Sequence, residues 1–321
     1  VWGHPPEDYI WNIGRVAVYI FFMITGFLFV SKILANEGKT NWHRLYISRV
    51  FRIYPLYIFA LVSVSFIVFS RSDWSLRVDP MQLAKEYLKW LVFLDGPINE
   101  FLDTAKVMAV AVWTLKYEWL FYLSLPLVAF ILRVGNRAAL LLVTAAILWL
   151  FFYPVRVWHF ESQFLIFFVV GAFAAIAEKK GLNRKLARSR CASALAVFCL
   201  TGSLIHADHM DLAHLIMMSV FFFVVCLGND MFGLLSSKAS LLLGELSYSI
   251  YLIHGIVLFI CYSQFNAINI GELTRHEYIS WLMVPTGLLV VLVSAITFLL
   301  IEKPGMALTH KFYRGDIRAS K

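Results

Sequence analysis

Four groups of side chains stand where chemistry would need them. Glu118 lies about two turns inside the otherwise apolar run from Trp113 to Pro126. A carboxylate there is costly unless it is paired or faces water. It therefore reads either as functional or as half of a structural ion pair. Tyr122, four residues on, shares its helix face. In Gly244-Glu245-Leu246-Ser247-Tyr248-Ser249-Ile250-Tyr251-Leu252-Ile253-His254, the side chains of Ser247, Tyr251 and His254 make one polar stripe at helical spacing. Imidazole carries protons near neutral pH, and the hydroxyl of Tyr251 is of a kind that can donate to an acyl carbonyl. The alternative for His254 is a core histidine whose hydrogen bonds are satisfied. Arg49 and Arg52 share a face three apart, as a phosphate clamp or as topology anchors. Glu302 closes the last apolar run in Ile301-Glu302-Lys303-Pro304. There Pro304 is expected to end the helix, and Glu302 is either functional or a helix-end charge.

The elements that must position these groups are membrane spans. The chain is 60% hydrophobic and 15% charged, with a mean hydropathy of +0.75. That exceeds the roughly half-apolar make-up of a soluble domain. Apolar runs near 13–31, 54–70, 111–132, 138–153, 161–178, 191–206, 212–228, 241–263 and 281–301 predict an all-α polytopic bundle of about nine spans. One membrane domain covers 1–321, with no internal repeat. A basic turn, 32–53, joins the first two spans. Residues 71–110 form the longest polar interval. Within it Leu83, Tyr87, Trp90, Leu91 and Leu94 recur at helical spacing opposite Lys85, Glu86 and Lys89. This predicts an amphipathic helix lying on the membrane surface.

The charges orient the spans. With 32–53 inside and the spans alternating, most of the 28 Lys and Arg fall in inside loops, including the run from Lys179 to Arg190 and the C-terminal tail. The net charge of +8 is thus a topology signal and not a nucleic-acid one. This places the C-terminus in the cytoplasm and Val1 outside, which leads us to expect one further span ahead of Val1. Cys191, Cys199, Cys226 and Cys261 lie in or beside apolar runs without paired spacing and read as small core residues. His206, Asp208, His209, Asp211 and His214 supply ligand types without a recognised metal spacing, so no metal is expected.

Four ordered blocks between residues 14 and 304 give the chain a resemblance. Phe21-Phe22-x-x-Thr25-Gly26-Phe27-Leu28 is followed by Arg49-x-x-Arg52-Ile53-x-Pro55-x-Tyr57. Next comes Trp113-x-Leu115-x-x-Glu118-x-x-Phe121-Tyr122 with Pro126. Ser247-Tyr248-x-x-Tyr251-x-x-His254 and Glu302-x-Pro304 complete the set. Together they resemble the acyltransferase-3 family of integral membrane enzymes. The resemblance implies ten spans in the complete chain, the first carrying an arginine and a histidine taken to be catalytic. That base would lie on the span expected before Val1. It also implies an acetyl-CoA donor held at Arg49 and Arg52, and a carbohydrate or lipid-linked glycan acceptor. Glu118, His254 and Tyr251 are the catalytic candidates, with Trp113, Tyr122, Ser247, Tyr248 and Glu302 as substrate contacts or support. Tyr19 departs from the family, which has an acidic or polar residue there; Thr25 replaces a common serine and keeps the hydroxyl.

The sequence therefore reads as a membrane O-acyltransferase of a bacterial inner membrane, with the lipid bilayer and a glycan acceptor as partners. Two rivals remain. A proton-coupled transporter would use Glu118 and His254 as a relay, but it predicts inverted repeats or broken helices, which the sequence does not clearly show. A non-catalytic membrane scaffold would leave the four blocks without a purpose.

Overall fold

The computed structural model describes residues 8–37, 39–134, 137–157, 160–181, 184–206, 210–264 and 282–309. Helices dominate them: α1 (Asp8–Ala35), α2 (Trp42–Arg71), α3 (Pro80–Leu91), α4 (Trp113–Val134), α5 (Arg137–Phe152), α6 (Leu165–Lys179), α7 (Arg190–Ile205), α8 (Leu212–Cys226), α9 (Lys238–Phe259) and α10 (Val284–Thr297). Their only β-ladder is a hairpin pairing Arg156–Val157 with Phe160–Glu161. Among the described residues six stretches are long and apolar enough to cross a membrane, and three shorter apolar helices accompany them. Each of the nine expected spans falls on one of these nine. The shorter three, at about 21–24 Å, fall below the roughly 30 Å hydrocarbon thickness.

Three expectations are corrected. The basic stretch 42–53 is not a turn: α2 begins at Trp42 and runs unbroken through Pro55. Arg49 and Arg52 therefore share a helix face, as their spacing implies.

Pro304 does not end the last helix either. The chain turns once in π geometry over Phe298–Glu302, where the Lys303 N–H donates to the Phe298 carbonyl, and then continues helical to Thr309. The wide turn re-registers the carbonyls ahead of Pro304, so its missing N–H breaks no α-helical ladder there.

The third correction concerns α3. Its start is as the sequence suggests: Asp79 accepts from the N–H groups of Met81 and Gln82, and Pro80 occupies the first turn. Its polar face is different. Glu86 is buried, accepting from the Asn99 N–H at 2.9 Å and from Gln82 Nε2 at 3.1 Å, while Leu88 and Met81 are exposed. Asn99 itself is fully buried; it donates to the Ser75 carbonyl and accepts from the Arg77 N–H. A buried carboxylate thus organises the loop instead of facing solvent. The far end of α3 packs well down α2, where Tyr57 donates to the Trp90 carbonyl at 2.6 Å and Tyr54 to that of Leu91 at 3.1 Å. Tyr57 and Tyr54 lie about 21–25 Å along α2 from Arg71. The segment after α2 therefore folds back beside it rather than lying across its end.

The described residues fall into two compact units, the first holding Trp42–Lys116 and 242–309, the second the residues up to Asn41 with Tyr117–Leu241. In the first, α9 runs parallel to α2: Tyr248 bonds the Ile53 carbonyl, and Arg71 bonds that of Ser263. The last helix returns antiparallel, with Gly305 seated against Phe51 and Pro55. In the second, α1 and α6 approach at backbone distance. A Cβ on Gly26 would stand 2.2 Å from the Phe168 carbonyl oxygen, and one on Gly171 would stand 2.0 Å from that of Met23. Small residues permit this close membrane-helix crossing.

Candidate active site

The polar side of α9 is the centre of the first unit. Successive polar side chains leave this helix in different directions and meet different neighbours. Tyr248 donates to the Ile53 carbonyl at 2.8 Å and so ties α9 to α2. Tyr251 donates to the Ala111 carbonyl at 2.9 Å, and Thr114 Oγ1 lies 2.9 Å from the same phenol oxygen. The Tyr251 proton is therefore committed to backbone, which makes this residue a strut between α9 and the start of α4. Ser247 is exposed, and the structure brings it to none of the other candidates.

His254 is held differently. Its Nδ1 lies 2.7 Å from the Tyr251 carbonyl and 3.2 Å from that of Ile250, both on its own helix. Carbonyl oxygens only accept, so Nδ1 carries the proton and Nε2 presents a lone pair. Among the described residues Nε2 has no hydrogen-bond partner. The ring lies 6.1 Å from that of Tyr251 and is half-buried. One residue on, Gly255 packs against backbone; a Cβ there would stand 2.3 Å from the Met108 carbonyl carbon. That loop carries Ala109 and Val110 at φ of 48° and 59°, a region that a β-branched residue rarely enters.

A second polar cluster joins α2, α9 and the last helix. Glu302 is fully buried, and its Oε2 accepts from Ser249 at 2.6 Å. Its Oε1 lies 4.0 Å from Arg52 Nη2, and Arg52 Nη1 lies 3.3 Å from Met306 Sδ. The structure thus unites two expected residues, Arg52 and Glu302. Arg49 sits half-buried one turn earlier on α2. Ser249 and Thr114 escaped the sequence reading. Each is a small hydroxyl in an apolar helix, and only its cross-helix partner gives it meaning.

An apolar groove of about 530 Å³ lies between α2, α9 and α10, beside Ile253 and Ile256. Its one hydroxyl among the described residues, Ser63, is spent on the Phe59 carbonyl at 2.9 Å.

In the second unit Glu118 is buried and accepts a hydrogen bond from Tyr122, as their spacing predicts. Tyr122 packs on Phe29 at 4.9 Å. Trp113, in the first unit, is half-buried at the start of α4. Tyr19 is buried, stacked on Phe167 at 4.2 Å with its ring edge-on to His214 at 5.8 Å. Tyr19 is thus an aromatic packing element. Asp211 caps α8 through the His214 N–H at 2.7 Å and pairs with His206 at 2.8 Å. Burial pushes its carboxyl up, but the His214 N–H and the His206 ring outweigh that and hold it below the usual carboxylate value. Asp208 and His209 lie outside the described residues.

A family model described as an acyltransferase domain matches residues 1–301. The chain belongs to the acyltransferase-3 family. Neither the curated proteins nor the solved structures give a match. Family membership and the apolar helices together make this an integral membrane acyltransferase. In this family member the matched region contains the blocks around Arg49, Glu118 and His254, and it ends one residue before Glu302.

Proposed function

We propose that the chain moves an acyl group, in the simplest case acetyl, from acetyl-CoA to a hydroxyl of a carbohydrate or lipid-linked glycan of the cell envelope. It would do so at a bacterial inner membrane with its C-terminus in the cytoplasm. We assign the base to His254 and not to the histidine that the resemblance implies ahead of Val1; the observation that supports this most is the fixed tautomer of His254. A hydroxyl must lose its proton as it attacks a thioester, and an imidazole with Nδ1–H pinned to backbone offers Nε2 for that proton. The hydroxyl oxygen bonds to the thioester carbon, and the carbon–sulfur bond breaks. The proton passes to Nε2, which gives it to the departing thiolate, so that free coenzyme A leaves and the imidazole is neutral again. Tyr251 and Thr114 hold the His254 helix against the start of α4. Arg49 and Arg52 supply positive charge for the donor's phosphates. Glu118, fixed by Tyr122, serves proton transfer or acceptor binding. The reaction so written uses no metal.

The test follows release of the coenzyme A thiol in membranes containing the protein. His254→Ala should lower the rate about 10²-fold or more at matched expression. A rate near that of the parent would return His254 to a packing role.

A further inference from the structure

Glu302 is held firmly and Arg52 loosely, and that asymmetry gives Ser249 a task. Both Ser249 and Glu302 are fully buried, and the 2.6 Å bond between them fixes one carboxylate oxygen. The other oxygen has no hydrogen-bond partner among the described residues. Its nearest cation among the described residues is Arg52 at 4.0 Å, on a side chain 36% exposed. Arg52 also meets the Met306 thioether, a weak acceptor. Among the described residues most of the guanidinium's N–H donors are therefore unspent. A long cationic side chain near the end of a span snorkels to the interface unless something retains it. A buried carboxylate at 4.0 Å retains it by charge while leaving its hydrogen bonds open.

We propose that Ser249 and Glu302 are positioning residues that keep Arg52 turned inward for the phosphate groups of the acyl donor; this rests on the acetyl-CoA reading above. Glu302 also repels phosphate. A phosphate bound by Arg52 stands on the far side of the guanidinium, farther from Glu302 than Arg52 itself is. The hold on Arg52 is shorter, and one end of it is buried, so positioning wins. The π turn over Phe298–Glu302 contributes by setting where Glu302 leaves its helix.

The experiment uses the full chain in detergent and has two readouts. The first is modification of Arg52 by an arginine-specific dicarbonyl, followed by mass spectrometry, with exposed Arg44 as internal reference. Ser249→Ala and Glu302→Gln should each speed modification of Arg52 at least threefold and leave Arg44 unchanged. The second is steady-state kinetics. Both variants should raise KM for acetyl-CoA about 3–10-fold with kcat within twofold, and Glu302→Asp should recover part of the loss. In an Arg52→Ala background neither should change KM further. An unchanged Arg52 modification rate overturns the proposal. So does a lower KM in Glu302→Gln, or an equal rise in KM when Arg52 is already absent. A parent that binds no acetyl-CoA refutes the donor reading and the phosphate role with it. The modification rates then separately decide whether Ser249 and Glu302 hold Arg52.

Discussion

Replacing Gly255 by alanine puts a methyl group where the loop before α4 already sits. The new Cβ would stand 2.3 Å from the Met108 carbonyl carbon and 2.4 Å from the Ala109 nitrogen. Favourable carbon contacts lie near 3.5–4.0 Å, so the loop or α9 must retreat by about 1.2 Å or more. Both obstacles are backbone, and neighbouring Ala109 and Val110 are already in the left-handed region, so little slack exists. Overpacking of this kind costs about 1–3 kcal/mol. The catalytic effect should be larger. His254 is the adjacent residue, and Tyr251 is bonded to Ala111 on that loop, so a shift of about 1 Å at the reacting groups can cost on the order of 10²-fold. Gly244 lies on the same helix with nothing within 4 Å of a Cβ, and it serves as the control. Gly244→Ala should gain up to about 1 kcal/mol from helix propensity alone. Thermal unfolding in detergent and thiol release in membranes measure the two effects. Equal melting temperatures and equal rates for the two variants would refute the close packing at Gly255 and its link to His254.

Glu86→Ala leaves the Asn99 N–H without its acceptor and should destabilise by about 1–3 kcal/mol, read as a lower melting temperature. Glu86 on a solvated face would instead tolerate alanine. The Asp211 cap should be pH-dependent. Its folded carboxyl sits below the ordinary value, so the cap is present at neutral pH. It is lost as pH falls below about 4 and through the lower folded value. Protection of the His214 amide, relative to its intrinsic exchange rate, should fall over that range, and Asp211→Ala should be weakly protected throughout.

The helices were legible because a bilayer demands long apolar runs, and those runs survive any packing arrangement. Glu118 and Tyr122 were legible as a pair because both lie on one helix. What could not be read depends on neighbours far away in sequence. Glu86 looked solvated because amphipathic spacing counts charge as exposed, whereas Asn99 gives it a buried donor. Pro304 looked like a stop because α-helical register was assumed, and a π turn removes that constraint. Arg52 and Glu302 were each visible, but their approach across some 250 residues was not, and Ser249 became visible only through it.

The central claim is transfer of an acyl group from coenzyme A by this membrane protein, with His254 taking the proton. The most direct measurement supplies acetyl-labelled acetyl-CoA to membranes from cells expressing the protein and follows label into glycan and glycolipid fractions. Label should exceed that in membranes lacking the protein, be matched by an equal yield of free thiol, and be lost with it in His254→Ala at equal protein level. Label and thiol no higher than in membranes lacking the protein, or full transfer by His254→Ala, would contradict it.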